Sequence, residues 1–232
     1  MGEGCKLRPI YLLAGGPGSR RMGRDPVLAR ALASSGVARP SVAYVGAASG
    51  DNRAFLAMMA QYLRLCGAGE VTLAPLAGRR ARLDRALDVL AGADVVFVSG
   101  GDVEEGMSVL EAQQAVPHLR ALYEAGKPFI GVSAGSIMLA ERWVRWGGAE
   151  GATAEIFPCM GLAPILCDTH GEGEDWEELR ALLELAPEGA VGYGIPSGGG
   201  LTVHPDGALE ALGVPVQRFV RRDSRIVRLP DL

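Results

Sequence analysis

Five short apolar runs, interrupted by a polar residue only at Thr72, constrain this chain more than any other feature. Ile10–Ala14 runs into Gly15-Gly16-Pro17-Gly18, and Val42–Val45 runs into Gly46-Ala47-Ala48-Ser49-Gly50. Val71–Leu73 follows, then Val95–Val98 before Ser99-Gly100-Gly101-Asp102, then Pro128–Val132. Continuous apolar strands are those buried on both faces, whereas a half-exposed strand alternates. Between the runs the pattern predicts helices over 25–34, from an Asp51 N-cap to Cys66, over 83–90, and through 110–125 with a break or new start at Pro117. Strand–helix alternation of this kind predicts a three-layer α/β sandwich with a mainly parallel central sheet and right-handed crossovers. Ligands of such sheets bind at the carboxyl ends of the strands, where the glycine-rich loops of this chain fall.

After Met160 the pattern changes. Ile165–Cys167 and Val191–Ile195 read as strands around a helix over 176–185. Leu201–Val203 and Leu209–Leu212 flank the turn signal His204-Pro205-Asp206-Gly207, which predicts a small antiparallel extension near the C-terminus. No repeat or low-complexity linker interrupts the chain, so residues 1–232 are expected to form one domain.

Composition closes off several function classes. A net charge of -4 supplies no basic field for a nucleic acid. No apolar run reaches the ~20 residues of a membrane span, and the amino terminus lacks a signal-peptide core, so a cytoplasmic protein is expected. The cysteines Cys5, Cys66, Cys159 and Cys167 form no C-x-x-C pair and read as free thiols, not as a disulfide or metal framework. The Gly15-to-Arg21 loop has neither the lysine-threonine ending of a P-loop nor a dinucleotide spacing. No metal and no cofactor is expected; a homodimer is compatible with the sequence.

The sharpest chemical signal is Gly131-Val132-Ser133-Ala134-Gly135, directly after a buried strand and before a helix expected over 136–143. A nucleophile elbow needs small residues around a serine lifted out at a helix N-terminus. There the dipole and free backbone N–H groups favour developing negative charge, so the Ala134 N–H is a natural oxyanion donor. On the strand expected beside it, Gly101 could give the second donor, and Asp102 reads as an N-cap or a substrate contact. A serine nucleophile needs a base. His118 falls on an amphipathic helix and His204 in a turn between two tail strands. His170 follows the strand 165–167 on the same sheet edge as Ser133.

Gly100-Gly101-Asp102, Gly131-Val132-Ser133-Ala134-Gly135-Ser136 and Asp168-Thr169-His170 together resemble the serine peptidases that include aspartyl dipeptidase (peptidase E) and cyanophycinase. The resemblance runs from the first strand to about Val203. It implies a class I glutamine amidotransferase-like (flavodoxin-like) fold, with Ser133 as nucleophile, His170 as base and the N–H groups of Gly101 and Ala134 as oxyanion hole. The implied reaction is hydrolysis of a peptide or isopeptide bond in a short peptide through an acyl-enzyme.

Two departures accompany the resemblance. The family places a Glu behind the histidine, and the matching stretch Gly194-Ile195-Pro196-Ser197-Gly198-Gly199 carries Ser197 there. A hydroxyl accepts a hydrogen bond from imidazole but does not stabilise imidazolium as a carboxylate does. Glu150, Glu155 and Glu172 are candidate replacements, while Asp168 is close to the ring in sequence; the acid stays open. Family members that cleave beside aspartate carry arginines after the histidine, whereas here Glu172, Glu174, Asp175, Glu177 and Glu178 follow, with Arg180 as the one carboxylate anchor. Such a stretch repels an acidic substrate and attracts a cationic or amino-terminal group, although the helix dipole also favours acids there. Trp143 and Trp146 could line a pocket beside the elbow helix, with packing as the plainer role. Two other readings are a family member that binds a ligand without turnover, and an α/β-hydrolase-type esterase that uses His204.

Overall fold

The computed structural model describes residues 6–15, 23–147 and 153–232. Cys5, Glu150 and most of the loop from Gly15 to Arg21 therefore lie outside the described residues. Strands β1 (Ile10–Leu13), β2 (Val42–Val45), β3 (Val71–Ala74), β4 (Val95–Val98) and β5 (Phe129–Val132) match the five apolar runs. Helices α1 (Pro26–Ala33), α2 (Arg53–Leu65), α3 (Leu83–Gly92), α4 (Val103–Ala112) and α5 (Ala115–Glu124) join them. The remainder is α6 (Ala134–Leu139), β6 (Arg142–Gly147), β7 (Thr153–Pro158), β8 (Leu166–Thr169), α7 (Glu177–Leu185), β9 (Val191–Ile195), β10 (Gly200–Val203), β11 (Leu209–Leu212), β12 (Gln217–Arg222) and β13 (Arg225–Leu229).

The principal sheet has the order β11-β10-β1-β5-β4-β2-β3, with the last five strands parallel to one another. Its two faces follow from the period-two geometry of a strand. Ile10, Leu12, Ala43, Val45, Val96, Val98 and Phe129 pack with residues of α3 to α6. Tyr11, Leu13, Val42, Tyr44, Val95, Phe97 and Ile130 pack on the other side beneath α1 and α2. Helices on both faces are why these strands carry no polar alternation.

The tail is more elaborate than a simple extension. β10 and β11 are antiparallel strands of the principal sheet, with β10 beside β1. β12 and β13 instead extend a second sheet of order β13-β12-β9-β8, in which β8 and β9 are parallel.

Two local expectations are overturned. Asp51 is not the N-cap of α2; Asn52 is, its Oδ1 accepting the N–H groups of Ala54 and Phe55 at 3.0 Å. Asp51 instead takes a left-handed conformation and its carboxylate accepts the N–H groups of Leu76 and Ala77 beyond β3. The helix expected over 136–143 stops at Leu139, because backbone N–H groups from Met160 to Ala163 donate to the carbonyls of Met138, Leu139 and Ala140. The chain then turns back as the β6–β7 hairpin, so Trp143 and Trp146 lie on a strand. Trp143 is buried in a cluster with Ile137 and Leu179, and Trp146 is 45% exposed.

Candidate active site

Ser133 joins β5 to α6 with φ 54° and ψ -127°, a conformation that costs a non-glycine residue on the order of 1–3 kcal/mol. The surrounding glycines are what the turn requires. A Cβ on Gly135 would lie 2.0 Å from the Val98 carbonyl oxygen, and one on Gly131 would lie 2.7 Å from Ser136 Cα. The serine is pinned from behind by its own N–H, which donates to Leu13 O at 2.8 Å. Its hydroxyl has no hydrogen-bond partner among the described residues.

The loop after β4 closes against this turn. A Cβ on Gly100 would meet Ser133 Cβ at 3.0 Å. Gly101 has φ 146°, and a Cβ there would fall 1.9 Å from Ala48 O, so only glycine fits. The Asp102 N–H donates to that same Ala48 oxygen at 2.7 Å, and its carboxylate caps α4 through the Glu105 N–H. Neither the Gly101 nor the Ala134 N–H donates to a described residue.

His170 directly follows β8 in the left-handed conformation, its N–H donating to Ile195 O at 3.2 Å. Its ring Nδ1 lies 3.1 Å from Ser197 Oγ. The segment after Ser197 is tied to the end of β1: Gly198 N–H donates to Gly15 O at 2.6 Å, and Ala14 N–H donates to Gly199 O at 3.0 Å. As Ser133 N–H holds Leu13 O, the serine and histidine loops share one sheet edge. No hydrogen bond joins Ser133 Oγ to the ring, and Nε2 has no partner among the described residues. The other histidines stand elsewhere. His204 follows Val203, which pairs with Ile10 at the opposite end of β1, and His118 is exposed on α5. That placement removes the esterase reading that relied on His204.

Behind the ring, Ser197 N–H donates to Glu172 Oε1 at 3.0 Å. Burial opposes ionisation of Glu172. Hydrogen bonds from the Ser197 side chain and from backbone N–H groups, with His170 close by, outweigh it and hold the carboxyl below the usual glutamate value. Asp168 does not orient the ring; its Oδ1 accepts the Thr169 N–H at 2.6 Å. Burial pushes its carboxyl up to about 7, with Glu178, Glu174 and Glu172 adding and the Thr169 N–H opposing. Burial likewise raises Glu178, helped by Glu174, Glu177 and Asp102. Glu155 faces Arg145 on the hairpin at 3.3 Å, away from the ring. Arg180 bonds Asp175 through its backbone oxygen at 2.7 Å and its carboxylate at 3.1 Å, and stacks on Phe219. Among the described residues no group of three His, Cys, Asp or Glu side chains is placed to hold a metal ion. Among the described residues no helix is long and apolar enough to cross a membrane.

The glycine run 198–200 has a structural role that its sequence signals only as three consecutive glycines: Gly198 is left-handed and donates to Gly15 O, and a Cβ on Gly200 would meet Leu13 at 2.6 Å.

A mainly parallel sheet between helix layers, with a strained serine at its carboxyl edge, has the architecture of the peptidase E-like α/β proteins. A crystal structure of a peptidase from an acI-B1 Actinobacterium superposes with a TM-score of 0.72 at 14% identity, covering 99% of this chain and 98% of that one. A peptidase E-like protein from Listeria monocytogenes EGD-e gives 0.61 at 12% identity, covering 90% of this chain and 99% of that one. No curated protein matches the sequence. The chain belongs to peptidase family S51, whose family model matches residues 11–210.

Proposed function

We propose that this protein is a serine peptidase that cleaves a peptide or isopeptide bond of a short peptide through an acyl-enzyme on Ser133. The observation that carries this reading is the strained Ser133 backbone at the head of α6, with two undonated N–H groups beside it. Ser133 Oγ attacks the carbonyl carbon as its proton passes to His170 Nε2. The oxyanion is held by the Gly101 and Ala134 N–H groups, preorganised where charge develops. Collapse breaks the C–N bond, and the imidazolium gives its proton to the leaving amine. Water, deprotonated by the same ring, then releases the acid and restores Ser133. The missing Ser133–His170 hydrogen bond accords with this cycle, because such contacts often tighten only once substrate is bound.

Carboxylates cluster on the His170 side of the site: Glu172, Glu174 and Glu178 lie near Asp168, and Asp102 near Glu178. Arg180 is engaged by Asp175. This balance favours a substrate that presents its amino group over one that presents an acidic side chain. Hydrolysis of a dipeptide panel tests the reading. Basic and neutral amino-terminal residues should be cleaved about tenfold faster than aspartyl ones. Ser133→Ala and His170→Ala should lose at least about 10³-fold in kcat, with His204→Ala unchanged. Full activity in Ser133→Ala would reject the proposal.

A further inference from the structure

We propose that Glu172 supplies the acid of this site as a positioning residue, acting on His170 through the Ser197 hydroxyl. The inference rests on the reading of His170 as base. Position 197 carries a side chain too short and uncharged to serve as the acid itself, yet its hydroxyl sits 3.1 Å from His170 Nδ1. A hydroxyl can donate and accept at once, which a carboxylate cannot. Glu172 accepts the backbone N–H of the same residue at 3.0 Å, which anchors its carboxylate beside that hydroxyl. With its proton directed to Glu172, Ser197 Oγ is left as an acceptor, so Nδ1 carries the ring proton. That tautomer leaves the Nε2 lone pair for Ser133.

When Nε2 receives the serine proton, the Nδ1–H···Oγ–H···carboxylate chain lets the Glu172 charge stabilise the imidazolium without any further proton changing hands. The other ionisable groups of this edge are Asp168 on β8, Glu174 in the following loop, Glu178 on α7 and Asp102 at the head of α4. None of these hydrogen-bonds to the ring. Among the described residues, Glu172 is the carboxylate that hydrogen-bonds to the residue facing the ring.

An NMR titration of the His170 imidazole in the full-length protein reads this directly, alongside the pH profile of kcat/KM. Glu172→Gln should lower the His170 midpoint by about 0.5–1 unit, a modest shift because the edge is open to solvent. It should also slow hydrolysis about tenfold with KM little changed. Ser197→Ala should produce the same midpoint shift, and Glu172→Gln added to it should produce no more. Ser197→Glu in the Glu172→Gln background should restore the midpoint. An unmoved midpoint in Glu172→Gln overturns the proposal, as does a shift in that variant that Ser197→Ala does not reproduce. A protein that hydrolyses nothing but still shows both shifts keeps the relay and loses the peptidase reading. Intact hydrolysis with no shift does the reverse.

Discussion

Ser133 after β5 and Asp168 on β8 are both held in states that unfolding would relax, one by its backbone and the other by its charge. Asp168 keeps its proton to about pH 7 in the folded protein, whereas a free aspartate loses it near 3.8. Across that window the folded state binds the extra proton, so this group makes stability fall as pH rises. Above about pH 7 the cost is complete; below about pH 4 it vanishes. Asp168→Asn keeps an acceptor for the Thr169 N–H and removes the charge. Urea unfolding should find the variant more stable than the wild type at pH 8, by about 4 kcal/mol at most, with the difference closing by pH 4. A difference that stays constant with pH would contradict the assignment. Glu172, whose carboxyl is lowered, acts in the opposite sense, adding stability that is lost as pH falls through its folded value. At this scale the serine turn was legible, because Gly131, Gly135, Gly100 and Gly101 are glycines for reasons of contact with Ser133 or its supports. The Ser197–Glu172 pair was legible only as a set of candidates. Its geometry joins loops 25 residues apart, and no local pattern encodes that contact.

Elements with a strong local code formed where the sequence put them. Asp25 caps α1 by accepting the N–H groups of Val27 and Leu28, and the Tyr62 hydroxyl of α2 donates to its second oxygen at 2.7 Å. Asp25→Ala removes a cap and an interhelix hydrogen bond together. It should lower stability by about 1.5–3 kcal/mol, read by thermal or urea unfolding, with Asp25→Asn losing less. No loss in the alanine variant would contradict this. The elements missed are those set by distant partners. An apolar run from Ser136 to Trp143 reads as helix, yet Leu139 is its end because residues 160–163 arrive to bond its last carbonyls. The β6–β7 hairpin did leave a trace: aromatic and β-branched residues stand on both sides of a glycine-rich stretch, as in a strand pair.

Over the whole molecule, β1 organises the site. Its carbonyls and N–H groups near Leu13, Ala14 and Gly15 receive the Ser133 turn on one side and the Ser197–Gly199 segment on the other. The parallel half of the sheet was legible because β1, β2, β4 and β5 are buried on both faces, while the edge strand β3, with Thr72 exposed, left the weaker signal. The second sheet was not, since β8 and β9 are parallel neighbours joined through a helix, and β12–β13 reaches them from the far end of the chain. That sheet brings His170 to an edge made by the first, so the proposed chemistry depends on the two holding their register. The most direct measurement is intact-mass and peptide-mapped labelling of the folded protein by a fluorophosphonate. The expected result is a single adduct on Ser133 that is lost in His170→Ala. An unlabelled Ser133, or labelling of equal rate without the histidine, would contradict it.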